Sequence, residues 1–162
     1  MPSPPSHLEL PSPALEHVCR VDAELEEPLV VGDVPLGTRR VIPIAGGTVE
    51  GPRLRGAILS GGADWQLVDG DGTAVIDTRY LMRTEDGDLI VITTQGFRHG
   101  PADVLARIAA GETVAPSEYY FRVAARLETA VSSAHAWVNR TVFVAIAARG
   151  GSSVSYDLYA VG

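Results

Sequence analysis

Residues Trp65 to Thr94 read WQLVDGDGTAVIDTRYLMRTEDGDLIVITT. Two acidic, glycine-bearing stretches, Asp69-Gly70-Asp71-Gly72 and Glu85-Asp86-Gly87-Asp88, divide it into three runs rich in β-branched residues. Asp-Gly pairs supply the positive backbone angles that tight hairpin turns need. The runs Trp65–Val68, Ala74–Arg83 and Leu89–Thr94 are therefore predicted to be three consecutive antiparallel strands. A meander of this kind argues against parallel βαβ units, which would place a helix between successive strands.

The flanks extend the same pattern. Val18 to Leu25 alternates as a first strand, and Glu26-Glu27-Pro28 ends it, since proline has no N–H for a ladder. Gly32 to Gly37 is predicted as a loop. Arg40 to Ile44 is a short β-rich run interrupted by Pro43, so an edge or a bulge is expected there. The glycines from Gly46 to Gly56 predict a bent strand or a close approach of backbone, continued by Ala57 to Leu59. Further strands are predicted over Tyr119–Leu127, Ala136–Ala147 and Val154–Val161. One helix interrupts them, from Pro101 to Ala110. Proline favours its first position, Val104, Leu105 and Ile108 share a face, and Gly111 supplies the terminating residue. The expected architecture is all-β and mostly antiparallel: an up-and-down barrel with one short α-helix, closed so that no strand edge stays exposed. Residues 1–14 read as a flexible Pro/Ser-rich tail and 15–162 as one domain.

Composition narrows the function. The chain has 162 residues, of which 46% are apolar and 20% charged, enough for one well-formed core. Its net charge is -7, and the 13 basic residues are scattered apart from Arg39-Arg40 and Arg53-Leu54-Arg55. That balance argues against nucleic acid or an anionic membrane as partner. Cys19 is the sole cysteine, so no internal disulfide and no zinc cysteine cluster is expected. The four histidines lack metal-ligand spacing, and no phosphate-loop, dinucleotide or metalloprotease motif is present. No cofactor and no metal are expected. With neither a signal segment nor a long apolar run, the expected location is the cytoplasm. Self-association, most simply as a dimer, is expected from apolar strand faces such as Val142-Val144-Ile146.

Candidate site residues follow from strand parity, because alternate residues share a face. Asp64 and Gln66 flank Trp65 and point one way. Tyr120 and Arg122 share a face of the Tyr119–Leu127 run; turned inward, they could grip a carbonyl, enolate or carboxylate. Glu50 and Glu128 are carboxylates inside β-type sequence, where burial would raise their pKa toward values useful for acid-base work. Asn139, beside Trp137, could hydrogen-bond a ligand, or could tie a loop to a strand.

Several of these segments together resemble a known family. They are Gly46 to Gly56 (GGTVEGPRLRG), Gly61 to Gln66 (GGADWQ), Asp77 to Tyr80, Glu118 to Arg122 (EYYFR), Leu127 to Thr129 and Trp137 to Arg140 (WVNR). In this order they are similar to the family catalogued as domain of unknown function 3237, over roughly Leu15 to Val161. The resemblance implies a small lipocalin-like β-barrel that often forms oligomers. It also implies kinship with members thought to act as cofactor-free cyclases on polyketide-like substrates. The matching polar positions are Glu50, Arg53, Asp64, Gln66, Tyr80, Tyr120, Arg122, Glu128 and Asn139. The sequence departs from the family pattern at Val123-Ala124-Ala125-Arg126 and at Thr93-Thr94-Gln95-Gly96. The resulting expectation is a catalytic set of Asp64, Glu128, Tyr120 and Arg122. Glu50, Arg53, Gln66, Tyr80, Trp137 and Asn139 would contact the substrate. The function expected is a cofactor-independent cyclase, lyase or isomerase acting on a small carbonyl compound. The alternative is a carrier barrel that binds without turnover; it would need few ionisable groups inside.

Overall fold

The computed structural model describes residues 8–162. The tail expected over residues 1–14 lies in part outside them. Residues 8–14 run exposed and without regular structure until Ala14 exchanges backbone hydrogen bonds with Gly162.

Ten strands follow: β1 (Leu15–Leu25), β2 (Leu29–Val34), β3 (Gly37–Glu50), β4 (Gly56–Ile58), β5 (Ala63–Val68), β6 (Ala74–Thr84), β7 (Leu89–His99), β8 (Tyr120–Thr129), β9 (Val142–Arg149) and β10 (Ser153–Val161). Every pairing is antiparallel. The circuit β1-β10-β9-β8-β7-β6 reaches β3 through β4 and β5 side by side, and β3 pairs back to β1. That closes an eight-position barrel, with β2 added as a hairpin on β3. The expected meander is present as β5-β6-β7. The helix α1 (Ala102–Ala109) leaves the end of β7 and buries Val104 and Ile108, and the expected face is the packed one.

Closure depends on close backbone approach. Gly47 has φ +151°, and a Cβ there would lie 2.1 Å from the Asp22 carbonyl oxygen on β1. Only glycine lets β3 bend at this point while still pairing with its neighbour. The glycine-rich stretch therefore serves the barrel seam.

Three expectations are corrected here. Gly32 to Gly37 is not a loop: Gly32 to Val34 end β2, Gly37 opens β3, and only Pro35 and Leu36 turn between them. Arg40 to Ile44 is no short edge run: it belongs to the 14-residue β3, and Pro43 sits opposite Ala63 within the β3–β5 ladder, while the bulge alternative is met at the end of the run, where the β1–β3 register shifts between Ile44 and Gly46. The Pro43 carbonyl still accepts from the Glu26 N–H, so one ladder face is lost and the strand continues. Thirdly, Ala136 to Arg140 forms a 3₁₀ turn, and β9 begins only at Val142. Val138 is buried by that turn, which explains why an apolar stretch there looked strand-like.

Strand parity builds the interior. On β6 the inward set includes Ala74, Ile76, Tyr80 and Met82; on β8 it is Phe121, Val123, Ala125 and Leu127. The lower half is solid, filled by Phe143, Leu158, Leu127, Ile90, Ile92 and Met82. Burying such side chains contributes about 1.5–3 kcal/mol each, which makes this half the rigid base of the site.

Candidate functional site

The upper half of the barrel holds a cavity of about 50 Å³. That is enough for a few waters or the head of a small molecule. Its floor is Tyr80 and Tyr156, whose hydroxyls hydrogen-bond to each other. Its wall is mainly apolar, from Ile42, Ile44, Ile76, Phe121 and Val123. Half-buried Leu25, Val154 and Arg149 also line it.

A polar stripe crosses this wall. In the strand register Ile42 faces Asp64, Asp64 faces Thr78, and Thr78 faces Thr94. Asp64 is 8% exposed and Gln66 1%, whereas Trp65 between them is 55% exposed on the outside. Asp64 Oδ1 accepts from the Asp77 N–H at 3.0 Å, and Oδ2 accepts from Gln66 Nε2 at 3.0 Å. Gln66 Oε1 in turn accepts from Arg40 Nε at 2.6 Å. The amide of Gln66 thus links a cation to an anion in one orientation only. The hydroxyls of Thr78 and Thr94 share a hydrogen bond of 2.6 Å.

Burial dominates the electrostatics. It pushes the Asp64 carboxyl above the usual carboxylate range, although the Asp77 N–H, Gln66, Arg98 and Arg40 all pull the other way. Arg98 is pushed down to about 10, first by burial and then by the neighbouring cations Arg40 and Arg149. Burial likewise lowers Arg40 and Arg149 and raises both Tyr80 and Tyr156. At neutral pH the guanidiniums and phenols keep their protons. Asp64 is the group in this cavity whose charge state is open to control.

Of the ten residues expected to form the site, Asp64, Gln66 and Tyr80 line the cavity. The others do not join them, and this corrects the expected convergence. Tyr120 is 44% exposed on the outer face of β8, stacked on His99 at 4.8 Å between ring centres. Arg122 also points outward, its guanidinium 5.2 Å from the Tyr120 ring centre. Glu128 is exposed on the same outer face, beside Arg79 and Arg126 in an open depression of about 690 Å³. Glu50 is exposed and pairs with Arg55 at 2.6 Å. Arg53 lies over the Trp137 ring, 3.6 Å from its centre, and Trp137 packs on Phe143. Asn139 brackets Thr129, accepting from its N–H at 2.8 Å and donating to its carbonyl at 3.1 Å. The loop-tying alternative is the observed one. The physical reason is common to the β8 residues: Phe121, Val123, Ala125 and Leu127 claim the interior, so their polar neighbours must face out.

Arg98, Arg149, Thr78, Thr94 and Tyr156 line the cavity without having been singled out from the sequence, and Arg40 stands behind Gln66. Away from the cavity, Asp86, Asp88 and His135 bring their ligand atoms within 4.8 Å of one another at the β6–β7 turn. His135 is already paired with Asp86, and Ser133 with Asp88. Among the described residues no helix is long and apolar enough to cross a membrane.

The same barrel is found in known proteins. A β-barrel-like protein of Acinetobacter baumannii is 44% identical, with a TM-score of 0.83, covering 96% of this chain and all of that one. A conserved protein of unknown function from Rhodopseudomonas palustris is 31% identical, with a TM-score of 0.89, covering 94% of this chain and all of that one. A UPF0311 protein of Clostridium acetobutylicum is 34% identical over 147 residues, 90% of this chain and 92% of the relative. A more distant likeness, 18% identical with a TM-score of 0.70, is to an enzyme from Penicillium herquei, covering 96% of this chain and all of that one. The family model described as "Protein of unknown function (DUF3237)" matches residues 13–161, and the chain belongs to that family.

Proposed function

We propose that the protein is a cofactor-independent enzyme that moves a proton on a small carbonyl-bearing substrate, in the manner of an isomerase, lyase or cyclase. The observation that carries the reading is Asp64: a carboxyl 8% exposed, raised in pKa by burial, on the wall of a cavity that also holds guanidinium and phenol donors. A carrier of apolar molecules would have no use for such a group, since burying it costs stability. The fold likeness to the Penicillium herquei enzyme indicates only that such a scaffold can house a catalyst.

The chemistry balances without a co-reactant. The Asp64 carboxylate takes a proton from the carbon next to a carbonyl, and the electron pair moves onto the carbonyl oxygen as an enolate. The protonated acid then returns the proton at another position, or to a leaving hydroxyl. Each carboxylate oxygen accepts one hydrogen bond from the protein and keeps capacity for a second partner. The enolate oxygen would be held by the Tyr80–Tyr156 pair. Two hydroxyls that bond each other use one hydrogen between them, and the second is free to donate.

The test is exchange of α-protons of acetylacetone and ethyl acetoacetate for deuterium, followed by NMR. The protein should accelerate exchange, and Asp64→Asn should lower the rate about 10²-fold or more. Because the base must be ionised, the rate should rise with pH through a midpoint above the ordinary carboxylate range. Equal exchange with and without Asp64 would leave a binding barrel as the better reading.

A further inference from the structure

We infer that the cavity is built to seat the carboxylate of an organic acid, held by Arg98 and Arg149 with the acid's apolar body against Phe121, Ile76 and Val123. The inference deepens the proposed function by naming the substrate class, and it rests on the cavity being the working site.

Charge counting comes first. The cavity wall contains two guanidiniums, Arg98 and Arg149, and one carboxyl, Asp64; Arg40 adds a third guanidinium through Gln66. The protein carries a net charge of -7, yet this buried space is cationic. Moreover, Asp64 does not neutralise the cations by contact. Its oxygens are directed to Gln66 and to the Asp77 N–H.

Arg98 supplies the second, independent observation. It is 8% exposed, so more than nine-tenths buried, and its Nε has no hydrogen-bond partner among the described residues. A buried donor left unmade is costly, more so when charged. Its nearest aromatic contact, Phe121 at 5.8 Å from guanidinium carbon to ring centre, offers little compensation. Arg149 is likewise underused: Nη1 reaches the Ser153 carbonyl at only 3.4 Å. Two like charges held in one cavity with open donors form a receptor for an anion.

The apolar wall selects the kind of anion. An inorganic anion would use the guanidiniums and bury nothing against Ile76, Phe121 and Val123. An organic acid uses both. A planar carboxylate also matches the fork of a guanidinium.

Benzoate, benzamide, butyrate and inorganic phosphate, each at fixed ionic strength, test this by thermal shift and titration calorimetry. Benzoate or butyrate should raise the melting temperature, and benzamide and phosphate should not. Arg98→Met should weaken benzoate at least about tenfold, the size expected for a lost charge-assisted pair. It should leave the ligand-free melting temperature unchanged or higher, because an unpartnered buried charge has gone. Arg149→Met should weaken benzoate too. Asp64→Asn should bind benzoate at least as tightly as wild type, since it removes a neighbouring negative charge. Benzamide matching benzoate, phosphate matching it, no binding of either acid, or undiminished benzoate binding by Arg98→Met would each overturn the inference. The acid-base reading fails separately: Asp64→Asn would then keep full exchange activity while benzoate still bound the wild type.

Discussion

Replacing Gln66 with Leu tests whether the Arg40–Gln66–Asp64 chain is a working part of the site. The substitution puts a branched apolar side chain, one atom shorter, in place of the amide and leaves two polar groups without a partner. Asp64 Oδ2 loses a donor at 3.0 Å, and Arg40 Nε loses an acceptor at 2.6 Å. Gln66 is 1% exposed, and the bond it donates to the buried Asp64 carboxyl is charge-assisted, so its loss should cost about 2 kcal/mol. Arg40 is only half-buried and can recruit solvent, so its loss counts at the lower end, about 1 kcal/mol. The sum of about 3 kcal/mol corresponds to a fall in melting temperature of about 6–12 °C for a domain of this size.

The pH dependence makes the test sharper. Gln66 helps to hold the Asp64 carboxyl down against burial, so removing it should raise a pKa that already lies above the ordinary value. A group whose folded pKa exceeds its unfolded one binds the proton more tightly when folded. Its penalty is absent below the unfolded pKa of about 4 and grows as pH rises to the folded value. The deficit of Gln66→Leu should therefore be largest near pH 8 and shrink toward pH 4, where only the Arg40 share remains. Urea denaturation of both proteins across that range measures it. A deficit below about 1 kcal/mol at pH 8, or one that does not change with pH, would refute the reasoning.

Three further outcomes are expected. Gly47→Ala forces a side chain into the Asp22 carbonyl at a positive φ and should cost about 3 kcal/mol or more, read from the urea midpoint; tolerance would mean that the β1–β3 seam is not tight. Glu128→Gln and Arg122→Met, both on the outer face of β8, should change exchange activity less than about twofold and stability by about 0.5 kcal/mol at most. A hundredfold loss of activity in either would return that face to the site. Finally, Val142 and Ile146 are exposed on the outer face of β9, near exposed Phe97 and Tyr120, and we propose that this face is covered by a second copy. Light scattering should give a dimer mass, and Val142→Lys with Ile146→Lys should give a monomer; a monomer mass for the wild type across micromolar concentrations would remove the idea.

Much of the fold was legible because its signals are local. The Asp69–Gly72 and Glu85–Asp88 turns dictate hairpins whatever surrounds them, and the β5-β6-β7 meander follows. The helix was legible for the same reason: proline before it, an apolar stripe within it and Gly111 after it. Pro43 misled because proline is judged by the ladder it cannot join, whereas β3 has partners on both sides and gives up one bond without ending. The Ala136–Arg140 turn misled because an alternating pattern of five residues does not distinguish a strand from a 3₁₀ turn that buries one of them.

The site shows what parity can and cannot do. Parity says which residues share a face; only their company says which face is inside. On β8, Tyr120, Arg122, Ala124, Arg126 and Glu128 alternate with Phe121, Val123, Ala125 and Leu127, and the second set is buried throughout. The more apolar register must take the interior, since a one-residue slip would expose all of it. The same comparison places the cavity arginines inside. On β7, Arg98 stands in register with Ile90, Ile92 and Thr94, all buried; on β9, Arg149 stands in register with Phe143, Ala145 and Ala147, all buried. A charged residue that keeps the parity of an apolar run is carried into the barrel by the residues before it, at a cost that its own chemistry must offset. Arg98 and Arg149 each come at the upper end of such a run, where the solid base gives way to the cavity. Asp64 has no apolar run before it, and its direction is set instead by its neighbour across the ladder, buried Ile42. The residues that best define this site are thus the polar members of the apolar register, and the polar runs on the opposite register belong to the surface.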